Sequence, residues 1–346
     1  MNIAEDKNNL RFSHYQNSEN AWNDPDSNDA LSAMIQKRKM CYFNIVKHFN
    51  EIASYLKKNE SYSADILKND IDDLISLFRD DDRIFLSLAN APYSFISNKF
   101  NAEIYGIVVI NGINTMIYSL KIALALGISE LRLPYICFSA IFRSIHLLAM
   151  NEEELLKTSF DDSFVKKLSS IKNTQNQFLE NVKINSLDKN IILKLVECAA
   201  TIHSGMPAPD IDPNISQYAF IIFLCNEFEK LSNLHAGEKK LAPVEAMKKL
   251  RDDMIGHFNS DIIKIFFNNL SIYPVGTYVK LSSGEIAKIV KLNFNSLLRP
   301  VVAIVANEAG IKKLNPVKIN LREKPNLYIK KPIVDKNLTE EYIDLL

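Results

Sequence analysis

Tyr273-Pro274-Val275-Gly276-Thr277-Tyr278-Val279-Lys280-Leu281-Ser282-Ser283-Gly284-Glu285 is the stretch on which the reading of the fold turns. Upstream, from about residue 103, apolar residues recur at helical spacing. Here that pattern stops and short extended runs between turn residues take over. Tyr273-Pro274-Val275-Gly276 reads as a turn, 277–281 as a strand, Ser282-Ser283-Gly284 as a hairpin signal and 286–292 as a second strand. Residues 299–305 read as a third, with short extended pieces at 317–321 and 327–329. The expectation is a mainly α protein carrying a small C-terminal β appendage.

The body upstream of this switch is a series of apolar helices, expected at 103–126, 131–150, 161–182, 188–202, 214–232, 243–255 and 259–269. Breakers separate them: Gly127, Gly205-Met206-Pro207, Pro209, Pro213, Gly237 and Gly256. Only nine glycines occur in 346 residues, which favours long helices over many tight turns. Before them, residues 29–58 carry Leu31, Ile35, Ile45, Phe49 and Ile52 on one face, as one amphipathic helix or two. A further helix from about Ala64 puts Ile66, Leu67, Ile71, Leu74, Ile75 and Phe78 on one side. This N-terminal helical unit reads as a small bundle, with a dimerisation element as the alternative. The sequence thus divides into a disordered stretch 1–28, an N-terminal helical region 29–100, a helical domain 101–270, the β part 271–333 and a tail 334–346. No internal repeat is visible.

Lys plus Arg and Asp plus Glu number 41 each, so the formal charge is zero. Composition therefore makes no case for nucleic acid or an anionic membrane, while leaving local patches open. The polar start lacks the pattern of a signal peptide. The longest uncharged apolar run, 104–120, is broken by Asn111 and Asn114 and is short for a bilayer. It reads as a buried core helix, so no transmembrane segment is expected. Cys41, Cys137, Cys198 and Cys225 are widely spaced without a Cys-x-x-Cys pair. Disulfides and a thiolate zinc site are not expected, which fits a reducing cytoplasm.

The β-switch segment resembles the post-catalytic segment of the HD-GYP family, bacterial metal-dependent phosphodiesterases that hydrolyse cyclic di-GMP. Arg299-Pro300-Val301-Val302, Leu241-Ala242-Pro243-Val244-Glu245-Ala246 and Gly256-His257-Phe258-Asn259 match as well. The specific part covers about 215–330, and a looser match runs back to about 103. The resemblance implies an HD-domain-like helical bundle over 101–270. It also implies a cluster of metal ions that acidify a bridging water, held by imidazoles and carboxylates from several helices.

The sequence departs from that ligand set at each aligned position. The first His falls at Asn111 and the His-Asp pair at Arg143-Ser144. The next two His fall at Glu197 and Cys198, the Glu at Ala199, the Asp at Ile202 and the later Asp at Asn226. Arg143 would set a permanent cation among divalent ions. Ala199 and Ile202 offer no ligand atom, and asparagine is a weak neutral one. Arg143, inside an apolar helix, is expected to pair with a buried carboxylate such as Glu197, or else to bind an anion.

Other constellations are weaker. The six histidines form no pair at ligand spacing. Glu197, Cys198 and His203 read as a helix end with a buried cysteine before a ligand set, and a Cys–His catalytic pair is a minor alternative. Lys239 and Lys240, with His235 and Arg143, read as solvated lysines before an anion pocket. No Gly-rich phosphate loop occurs. Asp70, Asp72, Asp73 and the run Asp80-Asp81-Asp82 read as solvated helix faces and ends. Lys312-Lys313 and Lys330-Lys331 read as surface charge. The expectation is a cytoplasmic, catalytically inactive regulatory or interaction protein without cofactor. Its expected partner is a protein, with a second copy of the chain included. A non-hydrolysing receptor for cyclic di-GMP or another anionic nucleotide is the alternative, and an active phosphodiesterase ranks last.

Overall fold

The computed structural model describes residues 25–91, 96, 106–149, 168–203, 213–232, 241–254, 260–271, 273–293, 296–333 and 342–345. The chain is mostly helical with a small C-terminal sheet, as the pattern switch predicts. Residues 25–57 form one 33-residue helix, α1 (Pro25–Lys57). It starts inside the stretch assigned to disorder, because proline at the first helical position costs no hydrogen bond and presets the backbone angle.

The remaining helices are α2 (Asp65–Asp80), α3 (Arg83–Ala89), α4 (Gly106–Ala125), α5 (Leu133–Phe142), α6 (Leu168–Asn181), α7 (Lys189–His203), α8 (Pro213–Ser232), α9 (Pro243–Met254) and α10 (Ser260–Leu270). A two-residue strand β1 (Tyr62–Ser63) pairs in parallel with β2 (Val182–Lys183). Ile66, placed on the buried face of α2 by periodicity, is exposed, while Leu77 is buried.

One hydrophobic core joins α1–α3 to α4–α10, so the line drawn near residue 100 is not a break in packing. Tyr42, Ile45, Phe49 and Ile52 of α1 are fully buried in it. Phe49 meets Phe142 of α5 edge to face at 5.6 Å. The three helices close up at Gly112 of α4. A Cβ there would lie 2.6 Å from the Ile141 carbonyl oxygen and 3.2 Å from the Phe49 ring. Residues 106–125 and 130–149 are long and apolar enough to cross a membrane. Their windows are 83% and 78% buried inside the protein, so that surface is already used by the core.

The stretch expected as one helix over 131–150 is broken. The helix α5 ends at Phe142, Arg143 and Ser144 form a turn, and Ile145–Ala149 is 3-10. Apolar residues on both sides of the break hide it from periodicity. The turn is stabilised by Gln175 of α6, whose Nε2 donates to the Arg143 carbonyl.

The appendage is a five-stranded antiparallel sheet: β3 (Tyr278–Leu281), β4 (Ile286–Lys291), β5 (Val301–Ala306), β6 (Lys312–Asn320) and β7 (Ile329–Ile333), in the order β6-β5-β4-β3-β7. Strand β6 begins five residues before the expected start, and β7 begins later and runs further than expected. Residues 313–316 lack alternation because the register against β5 jumps from Lys312 to Val317 and they bulge out of the ladder. One face buries Val279, Leu281, Ala287, Ile289, Val302 and Ile304. The other packs Tyr278 and Val305 against Tyr342. Gly276, at φ +92°, lies against Ser87 of α3, where a Cβ would come 2.7 Å from the Ser87 Cα. Only glycine suits both the angle and the approach.

Residues 342–345, assigned to a tail, are docked. Lys288 of β4 is fully buried, and its Nζ donates to the carbonyls of Tyr342, Ile343 and Leu345, each at 2.9 Å. Asp344 forms a 2.8 Å ion pair with Lys39 of α1, and Ile343 enters the helical core.

Candidate functional site

The sequence of α8 places two polar pairs three residues apart within an apolar helix: Asn226 with Glu229, and Glu227 with Lys230. Residues at that spacing share one side of a helix. Helix α4 carries a matching pair, Asn111 and Asn114, and both are buried. The two helices pack together and bring these pairs into contact.

Glu229 is the hub. Its carboxylate accepts from Asn111 Nδ2 and, at 3.4 Å, from Asn114 Nδ2. Asn114 Oδ1 in turn accepts from the Tyr42 hydroxyl at 3.2 Å. Burial, reinforced by the Glu229 charge, pushes the Tyr42 phenol above its usual range. Beside this hub, Lys230 Nζ pairs with Glu227 Oε1 at 2.9 Å, and Asn226 Nδ2 donates to the same oxygen at 3.3 Å.

Arg143 completes the cluster. It is buried at the break after α5, and its Nε has no hydrogen-bond partner among the described residues. Burial pulls the guanidinium below its usual range, and the charge of Glu227 opposes that. Lys230 is drawn down in the same way by burial, with Glu227 opposing and Arg143 adding to the fall. Glu227 is thus the carboxylate whose charge acts on Arg143. Among the described residues, two cations and two carboxylates meet here, as charge withdrawn from water favours.

The aligned ligand positions thus separate into two groups. Asn111, Arg143 and Asn226 meet around Glu227, Glu229 and Lys230. Cys198, Ala199 and Ile202 of α7 are buried in apolar packing, and Glu197 is half-buried beside them. Ser144 is buried, and its carbonyl accepts from the Leu147 amide at 3.0 Å. Lys239, Lys240 and His235 lie outside the described residues, as do Gly205, Met206 and Pro207.

Among the described residues, the aligned positions make a poor donor set for a pair of divalent ions. Arg143 repels them, Ala199 and Ile202 have no donor atom, and the asparagines already bond to a carboxylate. Among the described residues, no three His, Cys, Asp or Glu side chains gather as a ligand group.

All four cysteines are buried. Burial pushes Cys41 up to about 12 and also raises Cys137, Cys198 and Cys225, the reverse of what an activated thiolate needs. The acidic run at 80–82 is more than a solvated helix end. Asp82 is buried and paired with Lys121, and Asp81 pairs with Arg83 at 2.6 Å. Asp70 likewise meets His48 at 2.5 Å.

Sequence reading missed Glu229, Glu227 and Lys230. The available signal was the matched three-residue spacing of polar residues on two otherwise apolar helices.

Residues 278–341 match a family model described as a KOW domain associated with HD domain. Over 101 residues, 29% of the chain, the protein is 27% identical to a cyclic di-GMP phosphodiesterase of Pseudomonas aeruginosa. The two similarities point to an HD-domain family. The chain spans about a quarter, 24%, of the length of that relative. No solved structure matches the chain.

Proposed function

We propose that this chain is a non-hydrolysing HD-type signalling protein that works by binding a protein partner through its helical and sheet surfaces. One observation carries the reading: the cluster of buried Asn111, Asn114 and Glu229 with half-buried Glu227 and Lys230 occupies the region where the resemblance places metal ligands. A metal-activated hydroxide needs open coordination positions and anionic or imidazole ligands. Here the polar atoms bond to one another, and the positive charge comes from Arg143 and Lys230.

The test is elemental analysis of purified protein together with a cyclic di-GMP hydrolysis assay. The expected result is no stoichiometric transition metal and no turnover. Bound metal accompanied by turnover that a chelator removes would overturn the reading.

A second reading, a receptor that binds cyclic di-GMP or another anionic nucleotide without cleaving it, is favoured by Arg143 Nε, which lacks an acceptor among the described residues. Calorimetry with cyclic di-GMP separates the two. Binding that disappears in Arg143→Ala or Lys239→Ala selects the receptor, and no heat with native protein selects the scaffold.

A further inference from the structure

The turn at 273–277 seats one end of the sheet on α3, through Gly276 against Ser87 and through Asn90 Nδ2, which donates to the Val275 carbonyl. The antiparallel strands carry the hairpin 282–285, the turn 307–311 and the start of β7 to the opposite end. There they meet. The Ser282 amide donates to the Tyr328 carbonyl at 2.8 Å, and the Glu308 side chain lies against Gly284. Large side chains stand out from this end: Leu314 is 96% exposed, Ile311 66% and Tyr328 51%. They are held in place from behind. Residues 313–316 bulge between the paired Lys312 and Val317, with Leu314 among them. The Tyr342 hydroxyl pins that bulge by donating to the Lys313 carbonyl at 2.8 Å, and Lys313 Nζ meets Glu285 at 2.9 Å. The Asn307 side chain accepts from the Ile311 amide at 2.9 Å and closes the neighbouring turn.

Lysines surround these tips. Lys280 and Lys331 oppose each other across β3 and β7, and Lys330 is the extra residue where that register shifts. Lys330 and Lys331 are exposed and Lys280 is half-buried. Among the described residues, the ammonium groups of these three form no hydrogen bond or ion pair. Lys312 and Lys313 stand at the same end but are engaged within the chain. The opposing carboxylates there are Glu285, paired with Lys313, and Glu308. Like charges set directly opposite in a sheet cost stability, and an anion relieves that cost. The wider unit, residues 273–333, holds eleven Lys and Arg against three Asp and Glu, and its field draws anions from a distance.

We infer that this end of the sheet docks on a bilayer surface rich in anionic phospholipid, with Leu314, Ile311 and Tyr328 entering the headgroup region and Lys280, Lys330 and Lys331 meeting its phosphates. Apolar tips ringed by cations are what binding in the plane of an anionic interface uses, and fluid lipid requires no matching shape. Tyrosine settles at headgroup level. Lysine lays its stem along apolar surface and keeps its ammonium among phosphates. A protein partner fits less well, because protein interfaces favour arginine and deplete lysine, and all three unengaged cations here are lysines. A single-stranded nucleic acid stacks on aromatic platforms, and two of the three tips are aliphatic.

Membrane docking goes beyond the partner-binding role proposed above and does not depend on it. The test is sedimentation of the full chain with vesicles, either of phosphatidylcholine alone or of phosphatidylcholine and phosphatidylglycerol in equal parts. The expected result is binding to the mixed vesicles alone, weakened by salt. Lys330→Glu/Lys331→Glu should lower it about ten-fold or more. Leu314→Ser should lower it about five-fold and leave its salt dependence unchanged. These side chains are exposed, so both variants keep the fold. Leu314→Cys carrying a polarity-sensitive dye should shift to the blue with mixed vesicles; the native cysteines are buried and escape the label. Equal binding to both kinds of vesicle, binding indifferent to both variants, or a dye that stays in water would each overturn the inference. So would a single-stranded oligonucleotide bound more tightly than the mixed vesicles, or concentration-dependent dimers that Leu314→Ser abolishes.

Discussion

Asn111 of α4 donates a side-chain hydrogen bond to the buried carboxylate of Glu229 on α8, three residues beyond Asn226. The same carboxylate also accepts from Asn114, so Glu229 draws both α4 asparagines onto α8. The bond also ties the helices together, so its loss is read as stability. Glu229→Ala strands the amides of Asn111 and Asn114 and is expected to cost about 2–4 kcal/mol in urea unfolding. Glu229→Gln, which keeps the shape and one acceptor, should cost roughly half as much. Indifference to Glu229→Ala would show that the cluster does not hold the fold together.

Arg143 gives the opposite expectation. A buried cation with an unsatisfied Nε is costly, and a flexible apolar side chain of similar length removes that cost. Arg143→Met is therefore expected to leave the melting temperature unchanged or raise it by about 2–4 °C. A fall of comparable size would mean that Glu227 needs the guanidinium more than burial penalises it.

Gly112 allows α4 to touch α5 and α1. Gly112→Ala forces a methyl against the Ile141 carbonyl, which is backbone and cannot swing away. The expected loss is about 1–3 kcal/mol, despite the better helix propensity of alanine. A stabilised variant in chemical denaturation would contradict the close approach.

Lys288 supplies a pH dependence. Burial lowers its ammonium to about 7, and Asp344 opposes the shift. The unfolded lysine titrates near its ordinary value, about 10.4. Between those values the unfolded chain binds the extra proton, so stability rises with pH through this window and is lost as pH falls through about 7. The contribution is isolated by comparing native protein with Lys288→Met from pH 6 to 10 by denaturant midpoint. The gap between them should change in favour of native protein as pH rises, and a parallel pair of curves would refute the shift. At neutral pH, Lys288→Met leaves three carbonyls without their donor and should cost roughly 2–5 kcal/mol.

Much of this molecule was legible in its sequence, and the gaps have physical causes. The change from helical spacing to strands near Tyr273 placed the β unit correctly because periodicity reports which face is buried. Periodicity does not say what that face is buried against, so α1 read as a separate bundle although Tyr42 and Phe49 enter the main core. Nor does it register a backbone break flanked by apolar residues, and the turn at Arg143 stayed hidden. Spacing from the family resemblance singled out Asn111, Arg143 and Asn226, yet it did not reach Glu227, Glu229 and Lys230, which lie within about one turn of Asn226 on α8. The docking of residues 342–345 left no trace because Lys288 recognises main-chain carbonyls, which every residue has. Net charge, averaged over the whole chain, concealed the basic sheet.

The three carbonyls gripped by Lys288 belong to residues synthesised after everything they fasten. Strands β3–β7 emerge from the ribosome with a lysine in their interior that has no partners until residues 342–345 follow. Until then the nascent sheet must keep that side chain in water and stay open. A chain stopped between β7 and residue 342 would carry all five strands of this sheet and still lack the closing contact, so a stop codon placed there should yield product that proteases clear, while a chain that includes residues 342–345 persists.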